Sequence, residues 1–266
     1  MVVLGGAGAA GLYWVSVLTG RGQRVENRAL ESSDFAGQWR GLLDLVSIPA
    51  VLLALTVAVA IALLLRNPRG ALRAVIIVGA SNVVGQALKY GFLTRPDFAE
   101  LGAANTFPSG HAVAFASVVF AFIVISPPRL RLLITTLGVA VVGVASAQLL
   151  GYGWHRMSDV AGGVLIVTAL VGLSGLVVPP AMGLAPWRLP LAARVIAVLL
   201  LAALFVTATG LTGLAAIRRD EHEPVLLLCA MQATALFTVL LCAWLVAAVS
   251  ARPSASAVPV YRRPHR

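Results

Sequence analysis

Apolar runs long enough to cross a lipid bilayer follow one another along this chain, separated by short polar breaks, and that leaves little choice of architecture. A hydrocarbon core about 30 Å thick takes roughly 20 helical residues. Backbone polar groups at that depth must be satisfied within the segment, which a helix does. Eight candidate spans read at 2–19, 43–65, 73–92, 110–126, 132–151, 159–179, 191–214 and 225–249. The breaks carry turn chemistry: Asn67-Pro68-Arg69-Gly70, Pro127-Pro128-Arg129, Pro179-Pro180 and Pro186-Trp187-Arg188. Hydrophobic residues make up 59% and charged residues 11%, and mean hydropathy is +0.93, which excludes an ordinary soluble domain. The chain reads as an all-α polytopic transmembrane helical bundle of about eight spans, a single membrane domain over 1–266.

Charge placement sets an expected orientation. With the N-terminus inside, the cytoplasmic connections and tail hold Arg66, Arg69, Arg73, Arg129, Arg131, Arg188, Arg194, Arg252, Arg262, Arg263 and Arg266, eleven basic residues with no acidic one. The other side holds nine basic residues and all ten acidic ones. The excess of Lys and Arg inside places both termini in the cytoplasm of a multi-pass plasma-membrane protein. The net charge of +10 then belongs to a basic rim facing anionic headgroups, with 250–266 as a basic cytoplasmic tail, and not to nucleic-acid binding. The first run has no basic residues ahead of it and reads as a retained span, not a removed signal peptide.

The chemistry is concentrated in three short stretches that this topology brings to the outer face: Lys89 with Thr94-Arg95-Pro96, then Pro108-Ser109-Gly110-His111, then His155 to Asp159. Ionisable groups at membrane depth are expensive and mark functional sites. His155 and Asp159 are four residues apart and share a face if helical. The carboxylate can then hold one ring nitrogen and leave the other as a nucleophile. His111 opens a helix behind Ser109 and Gly110, where free amides suit an anion and Ser109 can cap or donate a hydroxyl. Lys89 and Arg95 supply charge for phosphate oxygens, Arg95 in a fork. Structural alternatives exist for each: a helix-stitching His155–Asp159 pair, snorkelling Lys89 and Arg95, and a plain cap at Ser109.

These three stretches resemble the signatures of the type 2 phosphatidic acid phosphatase superfamily: Lys followed by Arg-Pro, Pro-Ser-Gly-His, and Ser-Arg-x5-His-x3-Asp. The resemblance covers 43–178, the phosphatase-like core. Thr19-Gly20-Arg21-Gly22-Gln23, read as an outer loop, and Gly153-Trp154-His155-Arg156 look like an actinobacterial integral-membrane branch of the family. The resemblance implies a six-helix core, His155 as a nucleophile that becomes phosphorylated, Asp159 orienting it, and His111 protonating the leaving oxygen, with no metal and no cofactor. The residues themselves suit Lys89, Arg95, Ser109 and Gly110 to phosphate contacts.

Two departures stand out. Lys89 and Arg95 are separated by five residues where six are usual, which a position beyond the helix end accommodates. The Ser-Arg of the third signature falls on Gln148 and Leu149, which leaves Arg156 as the candidate replacement, provided that the backbone there is irregular. The expectation is a metal-independent membrane phosphatase acting on a lipid phosphate, either polyprenyl pyrophosphate, phosphatidic acid or phosphatidylglycerol phosphate. An undecaprenyl-type pyrophosphate suits an outward site that recycles envelope carriers. The alternatives are a non-catalytic lipid-phosphate binder or transporter and a phosphatase for a soluble substrate. The last two spans, 191–249, form an additional hairpin outside the matched core.

The remaining conspicuous residues carry no chemistry. Cys229 and Cys242 lie thirteen residues apart on one run, about 20 Å on a helix, which excludes an intrachain disulfide. His222 sits in a charged loop without a convergent ligand set. Gly5-Gly6-Ala7-Gly8 suits close helix packing, and Trp39, Trp187 and Trp244 read as interfacial belt residues.

Overall fold

A computed structural model describes residues 1–33, 41–98, 104–179 and 191–250. The tail beyond Ser250, Trp39, Trp187 and Arg188 lie outside them, as does the side chain of Arg194. Among the described residues the chain is helical, without strands. In chain order the helices are α1 (Val2–Leu12), extended by a wide π turn at Tyr13–Val17, α2 (Gly20–Leu30), α3 (Ile48–Leu64), α4 (Pro68–Ala87) with a second π turn at Leu88–Phe92, α5 (Gly110–Ile125), α6 (Pro128–Gly151), α7 (Met157–Val177), α8 (Leu191–Arg218) and α9 (Glu223–Val249).

Four of the helix starts carry a side-chain N-cap. The side chains of Thr19, Ser47, Asn67 and Ser109 accept from the amides of Gly22, Ala50, Gly70 and Ala112 at 3.0, 3.3, 2.9 and 3.3 Å. Each satisfies one of the donors that a helix start leaves free. Pro68 and Pro128 take first-turn positions, where the missing N–H costs nothing.

Among the described residues five helices are long and apolar enough to cross a membrane: Pro68–Phe92, Pro128–Gly151, Met157–Val177, Leu199–Arg218 and Glu223–Val249. Ile48–Leu64 and Gly110–Ile125 are apolar but shorter, and Val2–Val17 passes only together with α2, from which it is bent by 82°. These helices suit a multi-pass membrane protein.

One apolar cluster joins α3, α4, α5, α6, α7 and α9 around Ile77, Phe120, Val164 and Val246. Small residues set the closest approaches. A Cβ on Gly5 would meet the Leu165 carbonyl oxygen at 2.5 Å, and one on Gly138 would meet Val119 at 2.4 Å. Close backbone approach of this kind is the usual basis of helix association in lipid. Val239, Cys242 and Val246 of α9 belong to the main cluster, so α9 is a core helix and α8 covers it from outside. Neither cysteine is in a disulfide.

One departure from the sequence reading concerns α2. Thr19 to Gln23 form its capped first turn and not a loop. The helix is polar, but its buried face carries Gln23, Glu26 and Ala29. It lies against α9 and across the start of α7.

Candidate active site

The three signature stretches meet at one end of the bundle. Helices α5 and α7 begin there, and α4 and α6 end there. Lys89 sits in the π turn after α4, a wide turn of the type often found at functional sites. Arg95 follows in extended chain beyond the helix end, as its spacing requires. Asn105 fastens this stretch: its side-chain amide donates to the carbonyls of Lys89, Leu93 and Phe107 at 3.1, 3.0 and 3.0 Å. Gln23 of α2 holds it from the other side, donating to the Val17 carbonyl at 2.7 Å and the Pro96 carbonyl at 2.6 Å.

His111 and His155 face each other with ring centroids 6.2 Å apart, and Trp154 stands edge-on to His111 at 5.8 Å. Both imidazoles line a cavity of about 820 Å³ together with Lys89, Gln86, Asn82 and Gly110. Lys89 has no carboxylate within ion-pair distance among the described residues; its ammonium lies 5.4 Å from the Tyr90 ring. The cavity continues as an apolar groove along Ile48, Val51, Leu52 and Leu55 of α3 and Val78 and Val83 of α4. From Val78 to Lys89 that is eleven residues, about 16 Å of helix.

Two glycines bring His111 to this place. A Cβ on Gly162 would stand 2.3 Å from the Phe107 ring, and one on Gly163 would stand 3.2 Å from the Ser109 carbonyl oxygen. Their absence of side chains lets the segment before α5 lie flat on α7. At the other histidine, Gly153 takes a left-handed conformation, φ 67°, which an L side chain resists. The amides of Trp154 and His155 then both donate to the Leu149 carbonyl, at 3.1 and 3.2 Å, and the chain curls over the end of α6.

His155 and Asp159 do not share a helical face in the way their spacing suggests, because α7 starts only at Met157. They approach across the helix start instead, with Nδ1 of His155 3.6 Å from Oδ2 of Asp159, beyond hydrogen-bond reach. Asp159 is fully buried and heavily used. Its Oδ1 accepts from Arg95 Nη2 at 2.8 Å. Its Oδ2 accepts from Thr106 Oγ1 at 2.7 Å and from the Arg156 amide at 3.0 Å.

The expected phosphate-binding residues therefore divide. Lys89, Gly110 and the two histidines face the cavity. Arg95 does not line it; it is engaged with Asp159, while its Nε and Nη1 are buried without a partner among the described residues. Ser109 is buried, its hydroxyl capping Ala112 and its amide donating to the Asp159 carbonyl at 2.9 Å. Of the first-turn amides, this leaves Gly110 and His111 as donors with no carbonyl behind them in the helix.

Arg156 has the irregular backbone that a replacement arginine requires, in an extended conformation ahead of α7. Its guanidinium, however, turns away from the cavity. Nε and Nη2 donate to Asn27 Oδ1 at 2.9 and 2.8 Å, and Nη1 approaches Thr106 Oγ1 at 3.5 Å. Burial, helped by the charge of Arg95, lowers its pKa below the ordinary value. At the signature position itself, Leu149 is fully buried in an apolar cluster with Ala112, Ala145 and Val160.

Sequence reasoning missed Glu26, Asn27, Asn105 and Thr106. Glu26 accepts from the amide and hydroxyl of Ser158 at 2.8 and 3.0 Å, so α2 caps the helix that carries Asp159. Burial, and then the nearby Asp159 charge, pushes the Glu26 carboxyl up to about 7. The one available signal was the spacing of Gln23, Glu26 and Asn27, a polar stripe at helical intervals behind a Thr cap. Among the described residues no group of three His, Cys, Asp or Glu is arranged to hold a metal. No family model, curated protein or solved structure matches this chain.

Proposed function

We propose that this protein is a membrane phosphatase that removes phosphate from a lipid phosphate monoester or pyrophosphate without a metal or cofactor. The supporting observation is the cavity that holds two imidazoles and Lys89, which has no carboxylate partner among the described residues, at one end and an apolar groove at the other. A phosphate group matches the first part and an acyl or prenyl chain the second.

The chemistry follows from the orientation of the rings. Nδ1 of His155 faces Asp159, which leaves Nε2 to attack phosphorus. The new N–P bond forms as the bond from the terminal phosphorus to its leaving oxygen breaks, the lipid alkoxide oxygen of a monoester or the bridging oxygen of a pyrophosphate, and protonated His111 gives its proton to that oxygen. Lys89 and the Gly110 and His111 amides offset the charge on the other phosphoryl oxygens. Water then attacks the phosphohistidine, His111 takes its proton, and inorganic phosphate leaves with His155 regenerated. A ring separation of 6.2 Å suits a phosphoryl group between the two, since nucleophile and acid each need an approach of about 3 Å.

The membrane setting is part of the reading. All eight apolar helices span, with both termini cytoplasmic and the histidine end outward in the plasma membrane, as the excess of basic residues at the opposite end supports. The partner is a phosphorylated lipid in the outer leaflet, with no nucleic acid. Leu149, standing at the signature arginine, favours a second reading, a lipid-phosphate binder with little turnover.

Phosphate release from a panel of polyprenyl pyrophosphates, phosphatidic acid and phosphatidylglycerol phosphate, with and without chelator, separates the readings. Hydrolysis that survives chelator and is lost in His155→Ala and His111→Ala supports the enzyme. Lipid binding with no release above those variants supports the binder, and chelator-sensitive release contradicts the histidine mechanism.

A further inference from the structure

Two arginines are buried at the end of the bundle opposite the histidines. Arg73 lies near the start of α4 and Arg131 near the start of α6, and they are 6% and 1% exposed. Arg131 Nη2 donates to the Ser126 carbonyl at 2.8 Å, closing the end of α5. Arg73 Nε donates to Ser174 Oγ at 3.4 Å, near the end of α7, and its guanidinium packs on Gly175, where an added Cβ would stand 3.3 Å from Nη2. Arg131 Nε is buried with no hydrogen-bond partner among the described residues.

Among the described residues this pair has no carboxylate partner. Of the ten acidic residues, eight are described, and all eight belong to α2, the Gly41–Leu45 turn, the Arg95 loop, the start of α7 or the α8–α9 turn, at the histidine end. The other two, Asp34 and Glu100, lie outside the described residues. Helices α5 and α7 direct their C-terminal carbonyls at the arginines, but a helix end offers only about half a charge. Arg66, Arg69 and Arg129 add further positive charge at the same end. Buried charges are normally paired, because removing an ion from water costs several kcal/mol.

We propose that Arg73 and Arg131 form the floor of a second anion site, separate from the histidine cavity, that takes a phosphate group. Its source is the headgroup of an anionic phospholipid in the adjacent leaflet or free inorganic phosphate. Planar guanidinium forks from two helices suit phosphate oxygens, and basic pockets between spans are a known setting for anionic headgroups. The inference rests on the membrane setting and not on the phosphatase reading.

The test uses full-length protein carrying Lys89→Met and His111→Ala, so that the histidine cavity no longer responds to phosphate. Thermal unfolding in nonionic detergent is followed against inorganic phosphate, with chloride at matched ionic strength as control. Mixed micelles of phosphatidylglycerol, with phosphatidylcholine as control, form the second arm. A site of this kind gives a saturating rise in melting temperature. A rise with phosphate identifies the free anion, and a rise with phosphatidylglycerol alone identifies the headgroup. Arg131→Met and Arg73→Met each abolish it. Should either fail to fold, Arg131→Lys keeps the charge without the fork and shifts the half-saturating concentration upward about tenfold. No saturating rise with either probe overturns the proposal, as does an undiminished rise in Arg131→Met or an unchanged midpoint in Arg131→Lys.

Discussion

Arg95 holds Asp159 through a buried ion pair, Nη2 to Oδ1 at 2.8 Å. It thereby ties the loop after α4 to the start of α7. With Thr106 and the Arg156 amide on the other oxygen, the carboxylate anchors three stretches of chain that are remote in sequence. Arg95 shapes the site from behind, and Lys89 is the cation that faces the cavity.

Breaking this pair from either side is expected to cost more than removing it whole. Asp159→Asn and Arg95→Met should each destabilise the protein by about 3–5 kcal/mol, since each leaves a buried group uncompensated. The double variant should lose clearly less than the sum. Unfolding of the four proteins in one detergent measures the coupling. Asp159→Asn should also lower kcat by on the order of 10³-fold with little change in KM.

Glu26 makes stability depend on pH in an unusual direction. Its folded value, about 7 against an ordinary 4.5, means that the folded protein binds a proton more tightly than the unfolded chain. The contribution is therefore full below about pH 4.5 and is lost as pH rises to about 7, on the order of 3 kcal/mol in all. Glu26→Gln keeps the Ser158 contacts without the charge. Its melting temperature should match the parent at pH 5 and exceed it at pH 8; an equal difference at both values contradicts the assignment.

Gly162→Ala tests how His111 is placed. The added Cβ would fall 2.3 Å from the Phe107 ring, which the segment before α5 must relieve by moving. A loss of about 1–3 kcal/mol is expected from overpacking, together with a drop in kcat of about a hundredfold from misplacing the acid. Gly210→Ala, with open space around it inside α8, should leave kcat unchanged and cause no loss of stability.

The bundle and most of the cavity were legible because both rest on local patterns. Apolar run length marks the helices, and the Asn67, Ser109 and proline breaks mark their starts. Lys89, His111 and His155 stand at the ends of runs where polar groups are conspicuous. The support behind them was hidden. Glu26 and Asn27 sit in a short helix whose polar composition conceals a buried face, yet both are used at the start of α7. The direction of the Arg156 side chain depends on Asn27, 129 residues away, and spacing along the chain carries no trace of that contact. The pairing of Arg95 with Asp159 was equally invisible, because charge type alone suits an arginine to phosphate or carboxylate.

Filling the apolar groove distinguishes a lipid substrate from a soluble one. Leu52 and Leu55 line it on α3, away from both histidines. Leu55→Trp should raise KM for a long-chain lipid phosphate at least tenfold and leave hydrolysis of a short, soluble phosphate ester within about twofold. Equal effects on both substrates would argue that the groove takes no part in binding.

Chemical trapping of the phosphoryl group tests the central claim most directly. Protein mixed briefly with a lipid phosphate labelled on its terminal phosphate, then quenched in alkali, should carry an acid-labile, alkali-stable label that maps to His155. His155→Ala should carry none, and His111→Ala should alter the amount without moving it. Multiple turnovers with no label on the chain, or hydrolysis retained in His155→Ala, would contradict the account.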